Sequence, residues 1–312
     1  MERPGGRGLG AGLGLATVLM WGTQFTVSKV LFRHVDAYAV TAIRYGFGGV
    51  LLGSVLLAVE GPRAFRMGEH TWRTWALGPT GVVGSVLLTY VGLQYTRPQD
   101  AALMVALQPL LMAIWLRATG RAVLPRSTAI AIGVAFVGAV IVIAKGDPLT
   151  FVHGGIGWGV ILCFFGQFSW IIYTAELPSF TGWSTLRTTA LTSITGGVAV
   201  VSIFGAVWAT GVSNPDFGGL GGGAWLAVWM VLGPTVAAVF CWNKGRMLLG
   251  AQDIAVFMYL IPVVAFVAES VRGYHPGVIE GSAAGVVVLA LIGDNVAQRR
   301  TRAAAAATAA PA

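Results

Sequence analysis

Ten apolar runs of about twenty residues, parted by short polar connections, leave this chain few folds to choose from. They fall at 10–32, 37–59, 75–95, 100–116, 127–144, 155–174, 184–208, 224–242, 251–271 and 277–296. A helix rises about 1.5 Å per residue, so runs of this length suit a hydrocarbon layer roughly 30 Å thick. Inside such a layer no water satisfies an open backbone group, and each run is therefore predicted as a helix. Only 10% of the 312 residues are charged. Soluble domains carry about 25%, so a water-facing surface is out of reach for this chain. The expected class is an all-α integral membrane protein with ten transmembrane helices.

Arg3 and Arg7 precede the first run, as they do in a signal peptide. The run continues past Trp21 without a small-residue cleavage site, so it reads as a retained first span. The net charge of +8 comes from Lys and Arg scattered among the connections, with no basic helix to suit a nucleic-acid partner. With the N-terminus inside, about fourteen basic residues fall on the cytoplasmic side and about four on the far side. This predicts both termini in the cytoplasm and a plasma (inner) membrane location.

The second half repeats the first. Leu77-Gly78-Pro79-Thr80 returns as Leu232-Gly233-Pro234-Thr235, and Gln99-Asp100-Ala101-Ala102 as Gln252-Asp253-Ile254-Ala255. Leu107, Pro109 and Gly120 match Leu260, Pro262 and Gly273 in one register. Ile43-Arg44 corresponds to Leu186-Arg187, and Trp21 to Trp170. Each half holds an odd number of spans, so tandem copies enter the membrane in opposite directions. Two inverted five-helix repeats are expected, at 10–145 and 154–296, joined by a connection at 146–153. A short segment at 1–9 and an Ala-rich tail at 297–312 flank them, both cytoplasmic.

Trp21-Gly22-Thr23-Gln24-Phe25 leading to Lys29 resembles the first span of EamA-type proteins of the drug/metabolite transporter superfamily. So do Arg44, the stretch Tyr90-Val91-Gly92-Leu93-Gln94-Tyr95-Thr96, and the fourth span with Pro109 and its copy at Leu260-Ile261-Pro262. The resemblance covers about residues 10–296. It implies a ten-helix transporter, often an exporter of amino acids, metabolites or drugs, driven by ion or solute gradients. Members often carry Gly-Glu after the fourth and ninth spans, where this chain has Gly120-Arg121 and Gly273-Tyr274.

Proline inside a span frees the carbonyl four residues earlier, here at Val105 for Pro109 and Met258 for Pro262, and both are candidate hinges. Gln24 and Gln108 are amides at membrane depth that need partners, in the solute or in a neighbouring helix. Trp21, Tyr90, Trp170, Tyr173, Trp242 and Tyr259 are candidate walls of an amphipathic solute path, with interfacial belts as the alternative. Arg44 lies about 10 Å into the second span. It is a candidate path residue, or with Lys29 a candidate outer gate pairing with Glu269 or Glu280. Glu269 is the candidate for proton coupling. Cys163 and Cys241 sit in apolar runs as buried thiols without a metal or redox motif.

The expected function is a secondary-active exporter of small organic solutes working by alternating access. A non-transporting scaffold or sensor is the alternative. An intramembrane enzyme is the least favoured reading, because His34, His70, His153 and His275 all fall in connections. No P-loop or dinucleotide fingerprint appears, so no cofactor is expected. The expected partners are the lipid bilayer and a small-molecule solute, with monomer and homodimer both open.

Overall fold

The structure is a computed structural model that describes residues 4–121, 126–143, 157–249, 254 and 256–309. The 146–153 connection and the Gln252-Asp253 copy lie outside the described residues, as do the side chains of Pro109 and Glu280. Among the described residues there is no strand, and ten helical units follow one another. They are α1 (Pro4–Leu31), α2 (Ala37–Glu60), α3 (Thr71–Pro79, Thr80–Leu87 and Leu88–Gln94) and α4 (Pro98–Ala106 and Gln108–Ala118). Then come α5 (Arg126–Ile143), α6 (Trp158–Glu176), α7 (Thr185–Ala209) and α8 (Ala224–Met230, Val231–Ala237 and Ala238–Leu249). Last are α9 (Val256–Leu260 and Ile261–Val271) and α10 (Val278–Ala309). The first helix starts six residues before the apolar run, and the last continues through the Ala-rich tail, because alanine is the best helix former.

Among the described residues, five helical stretches are long and apolar enough to cross a membrane: Ala37–Glu60, Pro62–Gln94, Trp158–Ser179, Thr185–Ala209 and Gly221–Leu249. The two parts of α4 have 9 and 11 residues, so neither crosses alone. The surface is inverted relative to a soluble protein. Phe47, Val50, Trp158 and Leu289 are 64–77% exposed, while Thr41, Arg44, Thr89, Gln167, Thr192 and Thr235 are buried. Such a surface suits lipid, and most of these buried polar groups bond across helices, as Arg44 does to Thr235 and Gln167 to Thr89.

The two halves use the same local devices. Asp36 accepts the Ala39 amide to start α2, and Ser184 accepts the Arg187 amide to start α7, both at 2.9 Å. Proline in α3 and in α8 lacks the amide that the regular ladder needs, and a π-helical stretch lies at each: Thr80–Leu87 after Pro79, and Val231–Ala237 around Pro234. Pro109 and Pro262 are each the second residue of an α-helical part, after a turn at Leu107 and after the 3-10 stretch Val256–Leu260. The first turn tolerates proline because its amides have no intrahelical acceptor. Gly120 (φ 70°) and Gly273 (φ 92°) then end α4 and α9 in the left-handed region that glycine enters without strain.

Contacts between connections sort them into two ends. At one end Asp216 N donates to His34 O (2.8 Å), Lys29 Nζ to Gln94 O (3.2 Å) and Arg97 Nη1 to the Tyr274 hydroxyl (3.0 Å). At the other, Arg187 Nη2 donates to Arg66 O (2.6 Å) and Arg73 Nη1 to Ser179 O (3.1 Å), and His70 Nε2 meets Thr181 O (3.1 Å). Arg121 and Glu176 pair there at 2.7 Å. The first set joins the connections that follow α1, α3, α7 and α9. The second joins those that follow α2, α4 and α6. Successive helices therefore run in opposite directions between an Arg97 end and a His70 end.

Glycine sets the helix spacing at the crossings. A methyl added at Gly196 of α7 would stand 2.5 Å from Gly78 O of α3, and one at Gly197 2.6 Å from Tyr45 O of α2. One at Gly48 would meet the Thr235 methyl at 2.7 Å. Gly205, also in α7, has nothing within 4 Å of that position. Gly196→Ala is expected to destabilise the detergent-solubilised protein by roughly 1–3 kcal/mol through overpacking, and Gly205→Ala to leave it unchanged. Thermal unfolding of both variants checks this, and equal melting temperatures would contradict the close crossing.

Candidate functional site

The polar interior gathers around Arg44 of α2, which is 3% exposed. Its Nε donates to Thr235 Oγ1 of α8 at 3.0 Å, and its Nη1 donates to the Tyr90 hydroxyl of α3. The guanidinium carbon lies 5.2 Å from the Tyr90 ring centre and 5.6 Å from that of Tyr45. The Tyr90 hydroxyl in turn donates to Gln24 Oε1 of α1 at 3.3 Å. Thr235 donates to Met230 O at 3.0 Å, five residues back, where the π-helical stretch makes that carbonyl reachable. Trp21 Nε1 donates to Pro234 O at 3.0 Å, and its ring centre lies 5.5 Å from that of Trp242. Trp21, Gln24, Arg44, Tyr90 and Trp242 therefore meet as one group drawn from both halves.

Every partner of Arg44 among the described residues is neutral. Burying a charge costs several kcal/mol even after relaxation. Hydrogen bonds to a charged group return about 1.5–3 kcal/mol each and a ring face roughly 0.5–2. These contacts hold the guanidinium in place without cancelling its charge. The gap beside it, lined by Leu31, Val35, Val40, Ile43, Ala227 and Met230, is too tight for a water molecule.

A second group lies on the other flank of α3. Gln108 Nε2 donates to Gln167 Oε1 at 2.6 Å, Gln167 Nε2 to Thr89 Oγ1 at 3.0 Å, and Cys163 Sγ to Thr89 O at 3.5 Å. Thr89 precedes Tyr90, so one turn of α3 serves both groups. Trp170 and Tyr173 stand apart from them: their ring centres are 5.3 Å apart, and the Tyr173 hydroxyl lies 3.0 Å from Thr192 Oγ1 of α7. Tyr259 is buried in the same apolar cluster as Tyr90. Pro109 and Pro262 open the lower parts of α4 and α9.

The residues expected at a gate are engaged elsewhere in this conformation. Glu269 pairs with Arg272 at 3.2 Å, three residues on, and Lys29 holds the Gln94 carbonyl. Arg44 is not paired with Glu269, and the Glu280 side chain lies outside the described residues. Thr235, Gln167 and Thr89 are the interior polar residues that sequence reasoning did not single out. Gln167 carried the same signal as Gln108, an amide within an apolar run. Thr235 was visible only as a repeat marker, and a threonine in a membrane helix usually bonds its own backbone.

A cleft of ≈540 Å³ between α2 and α7 contains none of the expected residues. Gly46, Gly49, Gly53, Ile194 and Gly197 line it, and it opens on the outward apolar face. That makes it a groove toward lipid, and the chemistry lies with Arg44.

Residues 8–144 match the EamA-like transporter family. An uncharacterized transporter of Bacillus subtilis (strain 168), YrdR, is 27% identical over 94% of this chain and 92% of its own length. A second from that organism, YyaM, is 28% identical over 87% of this chain and 88% of its own. An uncharacterized transporter of Archaeoglobus fulgidus is 25% identical over 51% of this chain and 53% of its own. A protein of solved crystal structure shares the fold with a TM-score of 0.67 at 19% identity, over 93% of this chain and 97% of that one. These likenesses indicate a transporter and not an enzyme. Residues 8–144 are thus similar to the EamA-like transporter family, and with the apolar helices these likenesses indicate a multi-pass membrane transporter.

Proposed function

We propose that the chain is a secondary-active exporter of small organic solutes, such as amino acids, metabolites or drugs, working by alternating access between two inverted five-helix repeats at 10–145 and 154–296. The observation that carries this reading is the Arg44 group. Arg44, Tyr90 and Gln24 of the first half meet Thr235 of the second, in the interior, between two separately closed ends. Secondary carriers bind at such a repeat interface, beside helices that are broken. The proline-marked breaks in α4 and α9, and the shared capping of α2 and α7, support the duplication. The alternation of the Arg97 and His70 ends supports ten crossings.

In this reading Trp21, Gln24, Arg44, Tyr90, Trp242 and Tyr259 line the solute path. Gln108 braces its α4 wall, and Trp170 and Tyr173 its α6 edge. Pro109 and Pro262 are hinges, because a helix start that lacks a backbone donor rotates about the break at little cost in hydrogen bonds. Glu269 and Lys29 belong to the outer gate at the Arg97 end. The Lys and Arg bias supports a plasma membrane protein with both termini and the His70 end in the cytoplasm.

Two experiments test this. Single cysteines at Arg63 and Arg272 in a variant lacking Cys163 and Cys241 are expected to label from opposite faces of intact cells, Arg272→Cys from outside. Labelling of both from one face would contradict the inverted repeats. Protein reconstituted in liposomes is expected to give saturable, gradient-dependent flux, with Pro109→Ala and Pro262→Ala lowering turnover more than apparent affinity. Folded protein that binds a solute without any flux would select the scaffold or sensor reading.

A further inference from the structure

We infer that the solute is an organic anion and that Arg44 holds its charged group, an inference that rests on the transport reading above. The ion pairs among the described residues are Arg97–Asp100, Arg121–Glu176 and Arg272–Glu269, and Glu69 lies 3.7 Å from His70. Asp100 and Glu269 are each taken by an arginine three residues away, and no acid among the described residues reaches Arg44.

The geometry of the guanidinium leaves a place for the missing charge. It presents five N–H donors in a planar fork. Nε serves Thr235 and Nη1 serves Tyr90, while Nη2 has no acceptor among the described residues. The ring faces of Tyr45 and Tyr90 and the two hydroxyls fix the fork. A carboxylate or phosphate on the solute completes it by charge-assisted bonds, which a planar guanidinium makes two at a time. A cation is repelled there, and a neutral solute leaves the positive charge uncompensated in a medium of low dielectric.

The walls indicate the rest of the solute. Leu31, Val35, Val40, Ile43, Ala227 and Met230 border Arg44 and offer no side-chain hydrogen bond to a polar body. An anionic head on a largely apolar frame fits this division, and an inorganic anion does not use it. Because no water fits in the gap now, the solute enters only when one end of the molecule opens.

The test begins with cells carrying the wild type, Arg44→Lys or Arg44→Gln at matched membrane levels, their media profiled for all small solutes against an empty-vector strain. The solutes lost through the wild type are expected to carry a carboxylate or phosphate at neutral pH. Their loss should fall about tenfold or more in Arg44→Gln and recover in part in Arg44→Lys. Counterflow in proteoliposomes then uses the solute so identified against its own amide or neutral ester. The acid should compete and the uncharged analogue should not, a comparison on wild-type protein that stands even if Arg44→Gln fails to fold. Loss of cationic or neutral solutes, wild-type rates in Arg44→Gln, or equal competition by the uncharged analogue overturns the inference. No solute loss and no flux in the wild type overturns the transport reading itself.

Discussion

A backbone amide that faces hydrocarbon has nowhere to bond but its own helix. Among the described residues, the π-helical stretches at Pro79 and Pro234 bury Gly81, Val82, Ser85, Leu87, Val231, Gly233, Pro234 and Thr235 against neighbouring helices. The polar groups around Arg44 gather beside them. The stretch in α8 turns Thr235 toward Arg44, and the turn of α3 after its own stretch carries Thr89 and Tyr90. Regular helix supplies the frame, and proline marks where the frame is opened to hold polar groups.

The same constraint explains why glycine stands at the crossings. Lipid tails are as apolar as leucine, so helices gain little from burying apolar side chains against each other and depend on close packing and interhelical hydrogen bonds. Gly48, Gly78, Gly196 and Gly197 bring backbones together, and the buried polar side chains of α1, α2, α3, α6 and α8 then come within bonding reach. The residue after each left-handed glycine adds a closure. Arg121 after Gly120 pairs with Glu176 at the His70 end, and Tyr274 after Gly273 accepts from Arg97 at the other. In this chain the positions where an acid often stands in similar proteins carry the groups that tie the two ends shut.

Much of this was legible in the residues. The apolar runs pointed to the helices because their signal is about twenty residues long, and Leu-Gly-Pro-Thr with Leu-x-Pro suggested the duplication because matches at one offset reinforce each other. Trp21, Gln24, Arg44, Tyr90 and Trp242 were each readable as polar or aromatic groups where lipid penalises them. Their partners were not, since Thr235 and Thr89 look like any threonine until the crossing angle is known. In this conformation Glu269 bonds Arg272 at the same helix end, and a pair three residues apart needs less ordering than one across helices.

The proposed transport cycle has one interior site with two closures that take turns. The Arg97 end and the His70 end are held by different contacts, from different connections, so each can release while the other holds. Pairs of spin labels report this directly: one pair across the Arg97 end, at Tyr95 and His275, and one across the His70 end, at Arg63 and Thr185. Pulsed electron–electron distance measurements in lipid nanodiscs are expected to show two populations for each pair. Lengthening at one end should accompany shortening at the other as transported solute is added. Single unchanging distances for both pairs, or lengthening at both ends together, would contradict alternating access around Arg44.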